Sequence, residues 1–578
     1  MFRAFRAEVT DCLRGALATL GHPTIELGLE EPPGQIEAGL ASNVAFRLAE
    51  PMGETPPTVA ASVVDAVDLR GHRYIEAVSS TGPYVNFTTT EAYLTDTVTA
   101  AMAEGWGQLE PTGRSVIIEH TSANPTGPIH VGRARNPIFG DALARVLAAA
   151  GATVERQYYV NDAGRQVATF TWAAERFDAD ALPPAERERP DHQLVRYYRH
   201  GSSYLEEADP AEVAEATAAI DAIMQGLEAG DQEAYDRVHA VIDPVLAGMS
   251  ETLGRLGVQF DAYVEETRFI RDGSADAVIT ALQALPESRT EEGAWLLDLT
   301  SAGIDKELVF VRGDGTSLYT TRDLAYHRWK LRTFDEAVTV LGEDHKLQAD
   351  QLRATLALLG EDTTGLAQPW YSWVTLPEGG MSTRAGTGID LDDLLDEAVR
   401  RARAEVVARD PDLEAEAIDA IAHAVGVGAV RYDIISKQPT KGITFDWDRA
   451  LDVDAQSAPY IQYAHARASG IIDAAAAASI EPVVDATVLS QPVETAMVET
   501  LARFPMVIEE AAAELAPHTI ATYVRECAEE FNQFYREARI IGAEDPVTGA
   551  TRLAIVHGAQ ATLAAGLGLL GVEAPEVM

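Results

Sequence analysis

A loop rich in glycine and histidine follows the apolar segment SVIIEH at 115–120. Gly127 and Gly132 allow the backbone to approach a ligand closely, and His130 lies between them. A loop that leaves a strand and enters a helix directs free N–H groups and the positive end of the helix dipole toward an anion. The His130 imidazole can donate to a phosphate oxygen as charge develops there. These residues predict a phosphate-handling site, with a purely structural turn as the alternative.

Two polar residues one helical turn apart form a second candidate. Tyr319 and Asp323 are four residues apart in TSLYTTRDLAYH at 316–327, so both can face one pocket. A carboxylate beside an aromatic ring suits a guanidinium group. The pair predicts a site for a cationic ligand, and a surface-exposed pair is the alternative.

An aromatic stripe occurs in APYIQYAHARASGII at 458–472. Tyr460, Tyr463 and Arg467 follow one another at spacings of three and four, which puts them on one helical face. Two rings and a cation suit the stacking of unpaired nucleic-acid bases. A stripe of core residues is the alternative.

Hydrophobic periodicity predicts the elements that position these residues. The segment at 115–120 predicts a buried strand, the pattern after the loop predicts a helix that ends at Gly151, and 153–160 predicts another strand. Strand, helix and strand in this order indicate a parallel sheet. Four later segments are predicted to complete that sheet, namely WLLDL at 295–299, ELVFV at 307–311, AVTVLG at 337–342 and YSWVTL at 371–376.

The length of 578 residues predicts several domains, each with its own core. An N-terminal α+β unit is expected to contain a helix at 2–20, a helical stretch at 39–50 and strands within 72–90. The predicted units are an α+β domain at 1–105, an α/β domain at 106–390 with a helical acidic insertion without strands at about 168–290, a helical connector at 391–455 and a helical domain at 456–578.

Charge is the dominant compositional feature, because 90 acidic residues against 45 basic ones give a net charge of −45. Such acidity disfavours a nucleic-acid partner at low ionic strength. At molar salt the Debye length is only about 3 Å, so local arginines can still bind phosphates. An acid excess with only five lysines therefore indicates a salt-rich cytoplasm, and an acidic protein from a low-salt cytoplasm is the alternative.

Targeting signals and cysteine frameworks are not evident. No apolar run reaches the ~18 residues of a membrane helix, and the N-terminus lacks an apolar signal-peptide core, which predicts a cytoplasmic protein without a membrane partner. Cys12 and Cys527 are too few for a disulfide framework or a thiolate metal site.

The segment IIEHTSANPTGPIHVGRARNPIFGDALARVL at 117–147 resembles arginyl-tRNA synthetases of class I. His130-Val131-Gly132 is similar to the front of the HIGH signature, with Arg133 in place of its second histidine, and YYVNDAG at 158–164 also resembles this family. Outside 168–290 the resemblance extends from GLASNVAFRLAE at 39–50 to the final APEVM. It implies a Rossmann-type catalytic domain with a parallel sheet, an N-terminal α+β domain that binds the tRNA elbow, and a C-terminal all-α anticodon-binding bundle.

The resemblance also implies a reaction. L-arginine and ATP would form arginyl-adenylate and pyrophosphate, and arginine would pass to the 3′-terminal adenosine of tRNA(Arg), releasing AMP. In this family the first step looks dependent on bound tRNA. ATP with Mg²⁺ is expected, without structural zinc or a metal bound by the protein, and the chain is expected to be a monomer.

Individual roles follow from the resemblance. The arginine-binding residues would be Glu119, Ser122, Asn124, Tyr319, Asp323 and His345. The catalytic residues would be His130, Gly132, Arg133 and Arg384. The ATP-binding residues would be Gly127, His130, Gly132, Met381, Ser382, Thr383 and Arg384, the last four in a KMSK-type loop whose leading lysine is replaced by Gly380. The tRNA-binding residues would be Tyr84, Asn86, Tyr460, Tyr463, Arg467, Phe531, Tyr535 and Met578.

Two other functions remain open from the sequence. A related nucleotidyl transferase could adenylate a small molecule without tRNA, although it would not need the two tRNA-binding domains. A degenerate tRNA-binding paralogue could explain Arg133 and Gly380. The complete set Glu119, Asn124, Tyr319 and Asp323 disfavours that reading.

Overall fold

The structure is a computed structural model that describes residues 1–32, 38–313, 316–375, 389–452 and 456–578. Gly380, Met381, Ser382, Thr383 and Arg384 of the KMSK-like loop lie outside the described residues. The roles predicted for them stay predictions.

The N-terminal unit is an antiparallel sheet covered by helices, as the sequence predicts. Its elements are α1 Phe2–Thr19, β1 Leu29–Glu30, β2 Leu40–Ser42, α2 Val44–Met52, α3 Pro56–Ala66, β3 Ile75–Thr81, β4 Tyr84–Thr89 and α4 Glu91–Ala101. The strand order is β1-β2-β4-β3. The short strand β2 occupies part of the stretch predicted to be helical, because only the residues after Asn43 continue as a helix.

The central domain alternates strands and helices. Its elements are β5 Ser115–Glu119, α5 Arg135–Ala149, β6 Thr153–Val160, α6 Arg165–Arg176, α7 Pro190–Glu207, α8 Pro210–Glu228, α9 Gln232–Arg255, β7 Ala262–Glu265, α10 Glu266–Arg271, α11 Ser274–Gln283, β8 Ser288–Glu291, β9 Ala294–Leu297, β10 Leu308–Val311, α12 Tyr319–Thr333, β11 Glu336–Thr339, β12 Leu341–Gly342, α13 Lys346–Leu358, β13 Leu366–Ala367, β14 Trp370–Tyr371 and β15 Val374–Thr375. Five parallel strands form the main sheet in the order β13-β11-β5-β6-β7. The chain extends from β5 in one direction and later returns to its other side with β11, so the strand order reverses between β5 and β11. Ligands of open parallel sheets bind at the carboxyl ends of such strands.

Three predictions about this sheet are wrong. Strand β7 lies inside the insertion predicted to have no strand, and the sequence does not reveal it because only Val264 of its four residues is buried. The segments WLLDL and ELVFV form β9 and β10, which join β8 in a separate antiparallel sheet of order β10-β9-β8. The segment YSWVTL contributes to β14 and β15, which pair with β12 and with Ile443–Thr444 in two small parallel sheets. Only AVTVLG contributes a strand, β11, to the main sheet as predicted. The apolar character of these segments reports burial, but it does not specify the partner strand.

The C-terminal part is almost entirely helical. Its elements are α14 Leu391–Arg409, α15 Ala415–Ile435, β16 Ile443–Thr444, α16 Trp447–Ala450, α17 Ala458–Ala477, α18 Pro492–Ala513, α19 His518–Glu537 and α20 Pro546–Leu569. The predicted fold class, an α/β domain flanked by an N-terminal α+β unit and a C-terminal helical bundle, is confirmed. Among the described helices, none combines the length and apolarity that crossing a bilayer requires.

A buried arginine joins three parts of the chain. The Arg431 side chain on α15 is fully buried and donates to Asp141 on α5 at 2.5 Å. It also donates to the carbonyl oxygen of Leu256, just after α9, and to that of Leu570 at 2.9 Å. The central domain, its insertion and the helical bundle therefore share one buried charge.

Replacing Arg431 with methionine should lower the free energy of unfolding by about 3–5 kcal/mol, because Asp141 would keep a buried and partly uncompensated charge. Denaturant unfolding of the full chain in concentrated KCl measures this loss. Arg449→Met is the matched control, because Arg449 pairs with Asp433 at 3.0 Å with 44% of its own side chain exposed, and about 1 kcal/mol or less is expected. Equal losses in the two variants would contradict a special role for Arg431.

Candidate active site

A cavity of about 470 Å³ lies at the carboxyl ends of β5 and β11, where the strand order reverses. Its walls come from the loop after β5, the loop after β6, the start of α12 and the segment after β11. All six residues predicted to bind arginine line it, namely Glu119, Ser122, Asn124, Tyr319, Asp323 and His345. The fold thus brings together side chains separated by more than 200 positions in sequence.

The loop after β5 has an unusual backbone. Thr121 and Ser122 have φ angles of 69° and 39°, which non-glycine residues rarely adopt. The Ser122 hydroxyl donates to Glu119 Oε1 at 3.1 Å and accepts the N–H of Tyr159 at 3.1 Å. These bonds tie the loop to the ends of β5 and β6 and hold the costly conformation in place.

Asn124 is held by two side chains that the sequence did not single out. Its Oδ1 accepts from Asn161 Nδ2 at 2.7 Å, and its Nδ2 donates to Gln166 Oε1. Asn161 belongs to the YYVNDAG motif, so this motif orients the amide that faces the cavity.

Four ionisable side chains form a continuous chain beneath the cavity. Asp323 Oδ1 is 2.9 Å from His327 Nδ1, and His327 Nε2 is 3.5 Å from Lys330 Nζ. Lys330 is fully buried and donates to Glu119 Oε2 and to Thr339 Oγ1. The two carboxylates predicted to bind arginine are therefore connected through a buried lysine. Lysine is rare in this chain, and this rarity was the signal in the sequence that could have drawn attention to Lys330.

The electrostatics favour a cationic ligand. Burial alone would raise the pKa of Asp323, but His327, with Lys330 and His345 further away, holds that pKa below its usual value. Asp323 is consequently a carboxylate at neutral pH, and 31% of its side chain remains exposed to the cavity. Tyr319, one helical turn earlier, is 46% exposed and lines the same cavity.

The start of α12 is fixed by a second ionic cluster. Arg322 donates to Glu266 at 2.6 Å and to Glu228, the last residue of α8, at 2.9 Å. Ser317 also donates to Glu228 at 2.9 Å. The insertion helix α8 therefore contacts the segment that carries Tyr319 and Asp323.

His130 lies at the start of the turn that leads into α5. Its Nδ1 accepts the N–H of Gly132 at 2.9 Å, which leaves Nε2 as the protonated nitrogen of the neutral ring. Burial and the nearby Arg133 lower the pKa of His130, so the neutral form dominates at pH 7. The arrangement gives His130 one N–H to donate to an anion, while the Gly132 N–H is already engaged. Arg133 is exposed and lines the cavity.

Gly127 has a packing role that the sequence did not suggest. A Cβ atom at this position would lie 2.5 Å from Cγ2 of Val195 on α7. Glycine is therefore needed where the loop passes the insertion.

The insertion also contacts the loop after β6 through a charged histidine. On α9, His239 Nε2 lies 3.1 Å from Asp162 and Nδ1 lies 2.8 Å from Asp243. Burial disfavours the His239 cation, but the hydrogen bonds to the two carboxylates outweigh it and raise the pKa of His239 to about 8. Asp162 follows Asn161, so this contact supports the cavity wall.

Potential metal ligands occur in three groups among the described residues, Asp162-His239-Glu265, Glu186-His192-Asp390 and Asp191-His192-Asp392. Each group has a carboxylate that is already paired with arginine or histidine. We assign no metal to them.

The predicted aromatic stripe on α17 is partly exposed. Tyr463 is 40% and Tyr535 is 44% exposed, and the Arg467 guanidinium lies over both rings at 4.7 and 5.0 Å. Tyr460 is partly buried against the core, and Met578 packs against the α14–α15 pair. The two outer rings and the arginine form an accessible stacking surface.

Two residues predicted to contact tRNA are buried instead. Phe531 on α19 is fully buried in the helical core, so it does not share the exposed face of Tyr535 four residues later. Asn86 on β4 is 1% exposed, although Tyr84 two residues earlier on the same strand is only half-buried. The Tyr84 ring contacts the exposed ring of Phe46 edge-on at 5.9 Å.

Three family models match the chain. The model "tRNA synthetases class I (R), catalytic domain" matches residues 97–447, "Arginyl tRNA synthetase N terminal domain" matches 6–89, and "DALR anticodon binding domain" matches 461–578. The chain belongs to the arginyl-tRNA synthetase family. The family predicted from the motifs is thereby confirmed.

Relatives within the arginyl-tRNA synthetase family match over the whole chain. An arginine–tRNA ligase from Haloarcula marismortui is 58% identical over 584 residues, and one from Methanocella arvoryzae is 43% identical over 579 residues, with 100% of each pair of chains covered. The solved structure of the Thermus thermophilus arginyl-tRNA synthetase is similar with a TM-score of 0.82 at 28% identity, covering 99% of this chain and 100% of that one.

The pKa of His239 makes the attachment of the insertion pH-dependent. Because its folded-state pKa of about 8 exceeds the ordinary value of 6.5, the stabilisation is complete below pH 6.5 and is lost as pH rises through 8. The expected loss is about 2 kcal/mol in the free energy of unfolding.

Unfolding measured at pH 6 and pH 9 in wild type and His239→Gln checks this expectation. The wild type should lose about 2 kcal/mol more than the variant between these pH values. The same pH dependence in both proteins would contradict the assignment to His239.

Proposed function

We propose that this chain is an arginine–tRNA ligase that converts L-arginine, ATP and tRNA(Arg) to arginyl-tRNA, AMP and pyrophosphate through arginyl-adenylate. The observation that carries the proposal is the convergence of the six arginine-site residues in one cavity, which Ile129 and Arg133 of the His130 loop also line. Membership in the family supplies the reaction, and the cavity supplies the place for it.

Arginine would bind with its guanidinium group at Asp323 and Tyr319. A charged carboxylate beside an exposed ring supports this placement. The amino and carboxyl groups of arginine would contact Glu119 and Asn124 at the other end of the cavity, and His345 would complete the rim. Ser122 would hold Glu119 in position.

ATP would lie beside the turn that precedes α5. His130 would donate its Nε2 proton to a phosphate oxygen, and Arg133 would add positive charge. Gly132, Met381, Ser382, Thr383 and Arg384 would complete this site, with Gly127 making room for the loop. Mg²⁺ bound to ATP would neutralise phosphate charge. Rate would come from positioning and charge stabilisation, since the site offers no obvious general base.

The helical domain would bind the anticodon through the stacking surface formed by Tyr463, Arg467 and Tyr535, with Tyr460 and Met578 supporting it. Tyr84 of the N-terminal domain would contact the tRNA elbow.

A halophilic cytoplasm and a monomeric state complete the proposal. A net charge of −45 and relatives from haloarchaea at 55–58% identity support salt adaptation. Salt would screen repulsion between this acidic surface and tRNA.

Charging of total tRNA with arginine in concentrated KCl tests the function. Arginine-dependent charging is expected, with ATP–pyrophosphate exchange that requires tRNA. Adenylation that proceeds without tRNA would favour the nucleotidyl transferase, and tRNA binding without charging would favour a degenerate paralogue.

Asp323→Asn should reduce kcat/KM for arginine by an amount equivalent to about 2–4 kcal/mol, because the carboxylate charge is lost while its shape is kept. Steady-state aminoacylation with varied arginine measures this effect. Asp350→Asn, an exposed carboxylate on α13, is the control and should behave as wild type. Normal arginine kinetics in Asp323→Asn would exclude Asp323 from recognition.

Tyr463→Ala should raise KM for tRNA by a factor that corresponds to about 1–3 kcal/mol, since one stacking ring is lost. KM for arginine should not change, because the ring lies in a different domain. Tyr463→Phe keeps the ring and should retain the wild-type KM for tRNA. A lower melting temperature with an unchanged KM for tRNA would instead identify Tyr463 as a core residue.

A further inference from the structure

Three arginines of the helical insertion hold three aspartates at the start of α14. Arg189 donates to Asp392 Oδ2 at 2.6 Å, and Arg255 donates to Asp392 Oδ1 at 2.6 Å. The other two aspartates are held similarly, Asp393 by Arg187 at 2.6 Å and Asp396 by Arg187 and Arg255 at 2.8 and 2.5 Å. We refer to these six residues as the arginine clamp.

The centre of the arginine clamp is shielded from solvent. The side chains of Asp392 and Arg189 are 1% and 15% exposed. Arg189 also makes paired hydrogen bonds to the fully buried Asp191, at 2.8 and 2.7 Å. A planar guanidinium that binds two carboxylates fixes direction as well as distance, which a lysine in its place would not.

Asp392 directly follows a segment that pairs with the His130 loop. The N–H of Leu391 donates to the carbonyl of Ile129 at 2.8 Å, and the N–H of Val131 donates to the carbonyl of Ile389 at 2.9 Å. His130 lies between these two bonds, opposite Asp390. A displacement of the first turn of α14 would therefore move the backbone on both sides of His130.

We propose that Arg189 is a positioning residue for the phosphate-handling histidine: through Asp392 it holds the segment 389–391 against 129–131 and so aims the His130 imidazole at the cavity. The inference rests on the proposed function. Through Arg189 the insertion would contribute to catalysis, a role that neither its acidic composition nor its separation in sequence from His130 suggests. The arginine-binding residues Ser122 and Asn124 lie earlier on the same loop, but their own hydrogen bonds, to Glu119 and Tyr159 and to Asn161 and Gln166, hold them in place.

A double-mutant cycle with His130 tests the proposal in the full chain. Single-turnover aminoacylation, with enzyme in excess over tRNA and saturating ATP and arginine, reports the rate per active site. Arg189→Ala should lower this rate by roughly 10- to 100-fold, because small misplacements of reacting groups are costly. KM for arginine should change by less than about twofold, because the arginine-binding residues stay in place.

The cycle distinguishes positioning from general damage. If Arg189 acts through His130, Arg189→Ala combined with His130→Ala should be no slower than His130→Ala alone. Additive losses would overturn the proposal. If Arg189→Ala fails to fold, Arg189→Lys replaces it; this variant keeps the charge, loses the paired geometry, and should show a smaller loss with the same non-additivity.

Arg237→Ala is the matched control within the insertion. Arg237 also makes a paired contact to a carboxylate, Glu175, at 2.9 and 2.8 Å, but it lies outside the arginine clamp. Wild-type rates are expected for this variant. An equal loss in Arg237→Ala and Arg189→Ala would mean that any weakening of the insertion has the same effect and would overturn the proposal.

Amide hydrogen exchange gives a readout that does not depend on the reaction. The amides of Val131 and Leu391 should exchange at least about tenfold faster in Arg189→Ala than in wild type. In Arg237→Ala their exchange rates should equal those of wild type. Unchanged exchange in Arg189→Ala overturns the proposal. A wild-type protein that fails to charge tRNA, but shows the expected exchange, would refute the proposed function and leave the coupling between Arg189 and the His130 segment standing.

Discussion

The buried contact between Lys330 and Glu119 is the interaction on which the cavity depends. Lys330 lies on α12 and Glu119 ends β5, so their contact holds the helix across the point where the strand order reverses. His327 extends the contact to Asp323. A lysine without solvent must have a partner, which Glu119 and Thr339 provide, and Ser122 on the next loop in turn donates to Glu119. One buried charge therefore determines the positions of both carboxylates proposed to bind arginine.

The excess of acidic residues makes every basic side chain scarce. Three of the largest fully buried side chains in the described ranges are basic, namely Arg135, Lys330 and Arg431. Arg135 donates to four carbonyl groups that flank the start of α5, at Ser372, Lys437, Gln438 and Lys441. Salt screens exposed charges and hardly affects buried ones. At high ionic strength the buried basic groups would therefore keep their interactions, while those of the exposed charges would weaken.

Sequence reasoning succeeded where one local pattern was sufficient. The apolar run of β5, the helix ending at Gly151 and the four-residue spacing of Tyr319 and Asp323 were predicted and confirmed. It failed where the outcome depends on a distant neighbour. The spacing of aromatic residues on α19 is the same whether the face that carries Phe531 points toward the core or toward solvent. Likewise, the apolar residues of β9 do not specify which strand it pairs with. Lys330 escaped notice because its partner is 211 positions away.

The insertion shows why such long-range contacts matter for function. It contacts two walls of the cavity, through Glu228 at the start of α12 and His239 at the loop after β6, and through Arg189 it holds the start of α14 beside the His130 segment. None of these three residues lines the cavity, yet Glu228 and His239 hold segments that do, and Arg189 holds the segment that pairs with 129–131. Because two of the three contacts are largely buried, they persist at high ionic strength. The catalytic geometry is consequently assembled from both sides, by the parallel sheet below and by the insertion beside it.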